Sequence, residues 1–188
     1  MKNRLIASLV GGIIVFVLQF LSWAFSGVHN GEMQYAPQQD EIMQSLSGYF
    51  KEDGTYLIPR PAPDASSEEM EKHEEEMKGK PIASVTYIKS YDSSMPRSMF
   101  RGFLVDLFLV FMLIYILTRG GNPTFVRWIA GSVSVGLFTF LWVPYTDRIW
   151  FQMPWSSITG YLVDAIVIWG ICGAWLGWYF NRRRAVVA

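Results

Sequence analysis

Two carboxylates, Asp106 and Asp164, stand inside apolar stretches of this chain, and His29 and Asn30 follow another such stretch by only a few residues. A charged side chain in hydrocarbon is costly, and where one occurs it usually faces a partner or a water-filled cavity. Brought together, His29, Asn30, Asp106 and Asp164 would suit a cation or proton site, or a polar anchor for a lipid or quinone head group. The plainer reading has each aspartate close enough to the membrane interface to hydrate, or paired with Arg101, Arg148, a Tyr hydroxyl or an indole N–H. Both readings stand on the sequence.

Other chemistries find no support. The two histidines, His29 and His73, lack H-x-x-x-H or C-x-x-C spacing, so no metal site is expected. No apolar stretch contains a histidine, which excludes bis-histidine haem ligation between spans. Neither a G-x-S-x-G elbow nor a Walker loop occurs, and Gly11-Gly12 lies within an apolar run instead of following a strand. No catalytic residue and no cofactor are assigned, and a non-enzymatic role is expected.

The residues at issue must be placed by four apolar stretches: Leu5–Phe25, Phe103–Leu117, Trp128–Val143 and Tyr161–Phe180. A hydrocarbon core about 30 Å thick takes about 20 helical residues to cross. The first and last stretches meet that length. The second reaches it if its helix begins near Ser98, with Arg101 snorkelling, and the third if it begins at Phe125, with Asn122 as cap and Pro123 in the first turn. Asp106 and Asp164 then lie three or four residues inside the ends of their stretches. That is about 5 Å deep and in one layer with His29 and Asn30.

Orientation follows from the basic residues of the short loops. Lys2, Arg4, Arg119, Arg127, Arg182, Arg183 and Arg184 fall on one side with no acidic residue, whereas the loop from Tyr145 to Gly160 offers only Arg148 beside Asp147. Both termini are read as cytoplasmic and the segment between spans one and two as extracytoplasmic. The chain is thus expected to be an α-helical inner-membrane protein with four transmembrane helices and a small α+β extracytoplasmic insert between helices 1 and 2. The divisions are 1–27 for helix 1, 28–97 for the insert, 98–184 for helices 2 to 4 and 185–188 for a cytoplasmic tail. Residues 1–26 also resemble a signal peptide, with Ala24-Phe25-Ser26 as cleavage site, but their apolar run is longer than such segments carry. The formal net charge of zero hides an acidic insert, with thirteen Asp and Glu against eight Lys and Arg from His29 to Arg101. No nucleic-acid footprint is present.

Within the insert, Ile42, Met43, Leu46, Tyr49 and Phe50 recur at helical spacing, predicting a helix over Gln38–Phe50. Asp53-Gly54 supplies a turn into a strand at Thr55–Ile58, stopped by Pro59. Ser66 three residues before Glu69 makes a capping box opening a charged helix to Lys78, and Ile82–Tyr91 reads as a second strand. The insert has no disulfide, since the one cysteine, Cys172, lies in span four. A unit this small has a thin core, so packing against the membrane surface or a partner is expected.

Gly173 and Gly177 give span four a small-xxx-small face for close helix packing, and Ser8 with Gly12 and Ser132 with Gly136 offer matching faces. The Trp150–Trp155 segment is more apolar than an interfacial aromatic belt requires and offers a partner surface. Ser22-Trp23 and His29-Asn30 at the end of span one, the insert motifs Gly54-Thr55-Tyr56-Leu57-Ile58-Pro59 and Gly79-Lys80-Pro81, and the Trp-rich loop together carry a resemblance. The chain resembles a family of small uncharacterised bacterial four-span inner-membrane proteins. That resemblance implies the architecture and no activity or site residue. Two roles are expected: an accessory or scaffold subunit, in some oligomer or with a protein partner at the insert or the Trp150–Trp155 loop, or a lipid, small-ligand or ion handler using the intramembrane carboxylates.

Overall fold

Runs of apolar residues with no proline inside them become helices here. The computed structural model describes residues 2–92 and 94–185, and side chains as far as Arg182. The elements are α1 (Lys2–Phe25), α2 (Gln39–Tyr49), β1 (Gly54–Ile58), α3 (Ser67–Met77), β2 (Ala83–Tyr87), α4 (Met95–Thr118), α5 (Phe125–Trp142), α6 (Pro144–Phe151) and α7 (Trp155–Ala185). Four helical segments are long and apolar enough to cross a membrane: α1, α4, α5 with α6, and α7. The chain forms two compact units. One holds Met1–Gln34 with Ser94–Ala188, the other Tyr35–Ser93, so the second unit is shorter than the expected insert of 28–97. Residues 186–188 of the expected tail, and the side chains of Arg183 and Arg184, lie outside the described residues.

In the helical unit α5 lies along α7, α1 packs against both α7 and α4, and α4 barely meets α5. The shared core is built from Val15, Val110, Leu113, Trp128, Cys172 and Leu176. Small residues set how closely the axes approach. A Cβ on Gly173 would stand 2.7 Å from Ser132 Oγ and 2.9 Å from the Trp128 carbonyl, one on Gly177 would meet Phe125 and Trp128, and one on Gly136 would run into the Ala165 carbonyl. The small faces of spans three and four therefore pack against each other inside one chain. On α1, Ser8, Gly11 and Gly12 are buried, and Gly12 lies against Leu107.

Three boundaries differ from expectation. Helix α4 starts at Met95, not Ser98, because Pro96 fits the first turn, where its missing N–H costs nothing. Thr124, not Asn122, caps α5, its hydroxyl accepting the Arg127 N–H at 3.4 Å. The stretch read as a loop from Tyr145 to Gly160 is mostly helix. Pro144 opens α6, Gln152 closes it at φ 54°, and α7 begins at Trp155.

The second unit keeps the expected helix, strand, helix, strand order, with β2 ending at Tyr87 instead of Tyr91. Its strands pair antiparallel with Tyr56 opposite Val85. Phe50 stacks on Tyr56 at 3.9 Å and meets Tyr87 edge-on at 5.6 Å, and Tyr87 is the buried hydrophobic of this unit. Ser66 and Glu69 form the capping box: Glu69 Oε2 accepts the Ser66 backbone N–H at 2.8 Å and the Ser66 hydroxyl at 2.9 Å. These bonds, the backbone one foremost, hold the exposed Glu69 carboxyl below the usual glutamate range.

Two expectations follow. Because the Glu69 pKa is depressed on folding, its support of α3 is present above the ordinary glutamate pKa and lost as pH falls through the depressed value; amide exchange at Ser67–Met70 should accelerate there, Glu69→Gln should remove that pH dependence, and Ser66→Ala, which keeps the backbone bond, should only weaken it. Gly173→Val should cost about 1–3 kcal/mol in unfolding titrations. Gly102→Ala, where nothing lies within 4 Å of the new methyl, should be neutral or stabilising.

Candidate functional site

Past the end of α1 the chain turns sharply at Gly27, φ 72°, and is held by the Asn30 N–H on the Gly27 carbonyl at 3.1 Å and the Glu32 N–H on the His29 carbonyl at 3.0 Å. This short loop lies on the beginning of α7. Two glycines permit the contact: a Cβ on Gly31 would strike the Ser156 carbonyl, and one on Gly160 would stand 2.6 Å from His29 Nδ1. Ser157 Oγ also reaches the Gly31 carbonyl at 3.4 Å.

The result is a bracketed imidazole. His29 Nε2 lies 3.0 Å from Asp164 Oδ2, and His29 Nδ1 lies 3.2 Å from Glu32 Oε2. The remaining carboxylate oxygens are also engaged. The Ser22 hydroxyl donates to Asp164 Oδ1 at 2.6 Å, and the Tyr161 hydroxyl donates to Glu32 Oε1. Trp23 stacks on the His29 ring with centroids 4.1 Å apart and planes at 10°, while Tyr161 meets its edge at 5.4 Å. His29 as a residue is only 6% exposed.

Counting hydrogens defines what this group can do. An ionised carboxylate only accepts, and a neutral imidazole has one N–H. For both nitrogen-to-oxygen contacts to be hydrogen bonds at once, each needs a proton between its atoms, which asks two protons of Asp164, His29 and Glu32 together. Two protons on the ring, or one on the ring and one on a carboxyl, would leave these three groups a net charge of −1. Charge-assisted bonds of this kind contribute about 1.5–3 kcal/mol each.

Asp164 also faces space. A cleft of ≈ 310 Å³ between α1, α5 and α7 is lined by Gln19, Trp23, Thr139, Tyr161, Asp164 and Trp169, among others. A second, mainly apolar cleft of ≈ 350 Å³ lies on the other side of the α1–α7 contact, where Ser22 and Asp164 meet Leu18, Leu21, Phe25 and Val167. Asp164 lines both clefts; His29 and Glu32 line neither.

Of the four residues expected to converge, the structure joins His29 and Asp164. Asn30 is exposed and its side chain lies by Gly27. Asp106 is not in one layer with Asp164. Phe16 meets Phe103 and Gly12 meets Leu107, so α1 and α4 run antiparallel and Asp106 stands between the levels of Gly12 and Phe16. Ser22, which holds Asp164, is at least six residues farther along α1, about 9 Å. The apolar count misled because α4 begins eleven residues before Asp106. Asp106 is 3% exposed, and its Oδ2 has no hydrogen-bond partner among the described residues. The partners of Asp164 are likewise not Arg101 or Arg148: the latter lies over the Trp155 ring at 4.5 Å and donates to the Met153 carbonyl at 2.6 Å.

Ser22, Glu32 and the Tyr161 hydroxyl were missed as site members. Glu32 has a sequence signal in its i,i+3 spacing from His29; Ser22 on α1 and Tyr161 on α7 have none, because only the fold brings these two helices together. Among the described residues, no group of three or more His, Cys, Asp or Glu is arranged to hold a metal ion. Comparisons with protein-family models, curated proteins and solved structures give no match.

Gly160→Ala should push the His29 ring off its bracket and lower stability by about 1–3 kcal/mol in unfolding titrations. Asp106→Asn, which removes the ionisable group at nearly constant volume, should leave the thermal midpoint unchanged or higher. A fall of several degrees would reveal a partner for Asp106.

Proposed function

We propose that this chain is a bacterial inner-membrane protein that binds an amphiphilic small molecule in the extracytoplasmic half of the bilayer, with Asp164 receiving its polar head. Termini in the cytoplasm and a periplasmic insert agree with the basic residues at Lys2, Arg4, Arg119 and Arg127. The observation that carries the reading is the cleft between α1, α5 and α7. Its walls are Trp23, Phe140 and Trp169, which suit a flat or chain-like apolar body. Gln19, Thr139, Tyr161 and Asp164 sit on the same cleft and supply donors and acceptors. Few oriented polar groups in an apolar concavity are the usual form of a small-molecule site. The role is binding, not catalysis, because both ring nitrogens of His29 are engaged inside the cluster and neither is offered to the cleft.

Native mass spectrometry of the protein extracted gently from its own membrane tests this. A retained lipid, isoprenoid or quinone is expected on the wild-type chain, and Thr139→Trp, which fills the cleft, should release it. A bare wild-type chain would overturn the reading.

A second reading, an accessory or scaffold subunit, is favoured by the insert. Ile42, Met43, Ile82 and Ile88 are all exposed in a unit whose core is little more than Phe50, Tyr56 and Tyr87. The same spectra would carry a heteromeric mass under this reading, and deletion of Ser66–Lys78 should remove the partner.

A further inference from the structure

The His29 bracket has a direction. Its two carboxylates face different surroundings: the Asp164 side chain is 18% exposed and opens on both clefts, while the Glu32 side chain is 14% exposed and opens on neither. Between them the His29 side chain is 3% exposed, so protons on its ring have no direct path to solvent and must leave through one carboxylate or the other. An imidazole so placed can take a proton at one nitrogen while giving one up at the other.

We propose that His29 is a proton relay joining the Asp164 side of the cleft to water at Glu32. This rests on the cleft reading and adds the form of its coupling: the bound head group is one that donates or accepts a proton at Asp164. In the transfer, the Asp164 O–H bond breaks as a proton moves from Oδ2 to Nε2. The Nδ1–H bond breaks as its proton moves to Glu32 Oε2, where an O–H bond forms. The ring is neutral before and after and the cluster still holds two protons; Glu32 then yields one to water, which leaves the cluster with the single proton it had before the head group protonated Asp164. In the reverse sequence water protonates Glu32, Glu32 Oε2 protonates Nδ1 as Nε2 protonates Asp164, and Asp164 passes that proton to an accepting head group, which restores the single-proton state. The groups bonded to the two carboxylates or stacked on the ring belong to this scheme. Ser22 fixes the Asp164 oxygen that the relay does not use, Tyr161 does the same for Glu32, and Trp23 stacks on the ring to keep its nitrogens aimed at the two oxygens. Asp106, about 9 Å deeper by helical rise, takes no part.

The chain has two histidines, so a His73→Asn background leaves one imidazole to observe. With [15N]histidine protein in phosphatidylcholine and phosphatidylglycerol nanodiscs, N–H exchange with water is measured at both ring nitrogens in that background and with Glu32→Gln or Asp164→Asn added. If His29 relays, Glu32→Gln slows exchange on the order of tenfold at Nδ1 and also at Nε2, the nitrogen it does not face. Asp164→Asn slows the cleft-side route and shifts the Nδ1 resonance across the ring. Equal exchange rates in all three proteins would overturn the proposal, as would variants that each disturb only the nitrogen they face. Should a variant not fold, the His73→Asn protein alone decides: one fixed neutral tautomer, exchanging slowly from pH 5 to 9, contradicts a relay. No ligand is added, so this result is independent of whether native mass spectrometry finds an amphiphile in the cleft.

Discussion

A histidine with a carboxylate at each ring nitrogen cannot be taken apart cheaply, and one end of the helical unit is organised around that fact. Removing either partner would leave a buried charge or donor without its complement, at about 3–5 kcal/mol by comparison with buried ion pairs. The bracket therefore does more than decorate α7. It ties the loop after α1 to the start of α7, with Gly31 and Gly160 supplying the room and Trp23 the lid over the ring. The opposite end is packed with apolar and aromatic side chains. There the helices are held by the apolar packing of Trp128, Leu176 and Tyr179, with Phe180 stacked on Trp128 at 5.0 Å.

That division between a polar clasp and an apolar core explains where the clefts lie. Small residues draw α5 and α7 together along Ser132, Gly136, Gly173 and Gly177, and α1 approaches α4 closely at Gly11 and Gly12. Farther along, where α1 carries Gln19, Ser22 and Trp23, larger and more polar side chains hold the helices apart. The space left on either side of the α1–α7 contact is what Asp164 faces. Such a carboxylate needs compensation, and His29 provides it from the loop after α1 and Ser22 from α1 itself.

Much of this was legible in the sequence, for identifiable reasons. The four helical segments long and apolar enough to cross a membrane follow from composition alone. The Ser66–Glu69 box, the two strands and the small faces of α5 and α7 are local patterns with local causes. The site was half legible. Asp164 and His29 stood out by their chemistry, but their pairing with each other was a matter of fold. Asp106 was given the wrong depth because apolar residues mark only part of a helix: α4 extends back to Met95 and α7 to Trp155, through residues too polar to count. Ser22 and Tyr161 look like any interfacial hydroxyls, and only the antiparallel meeting of α1 and α7 gives them a role.

The measurement closest to the centre of this account is a double-mutant cycle between His29→Gln and Asp164→Asn, read from reversible unfolding of the full chain in detergent. A bracketed imidazole predicts strongly non-additive losses, with a coupling of about 1.5–3 kcal/mol. Losses that add to within about 0.5 kcal/mol would mean that the two side chains act independently, and the clasp would not exist.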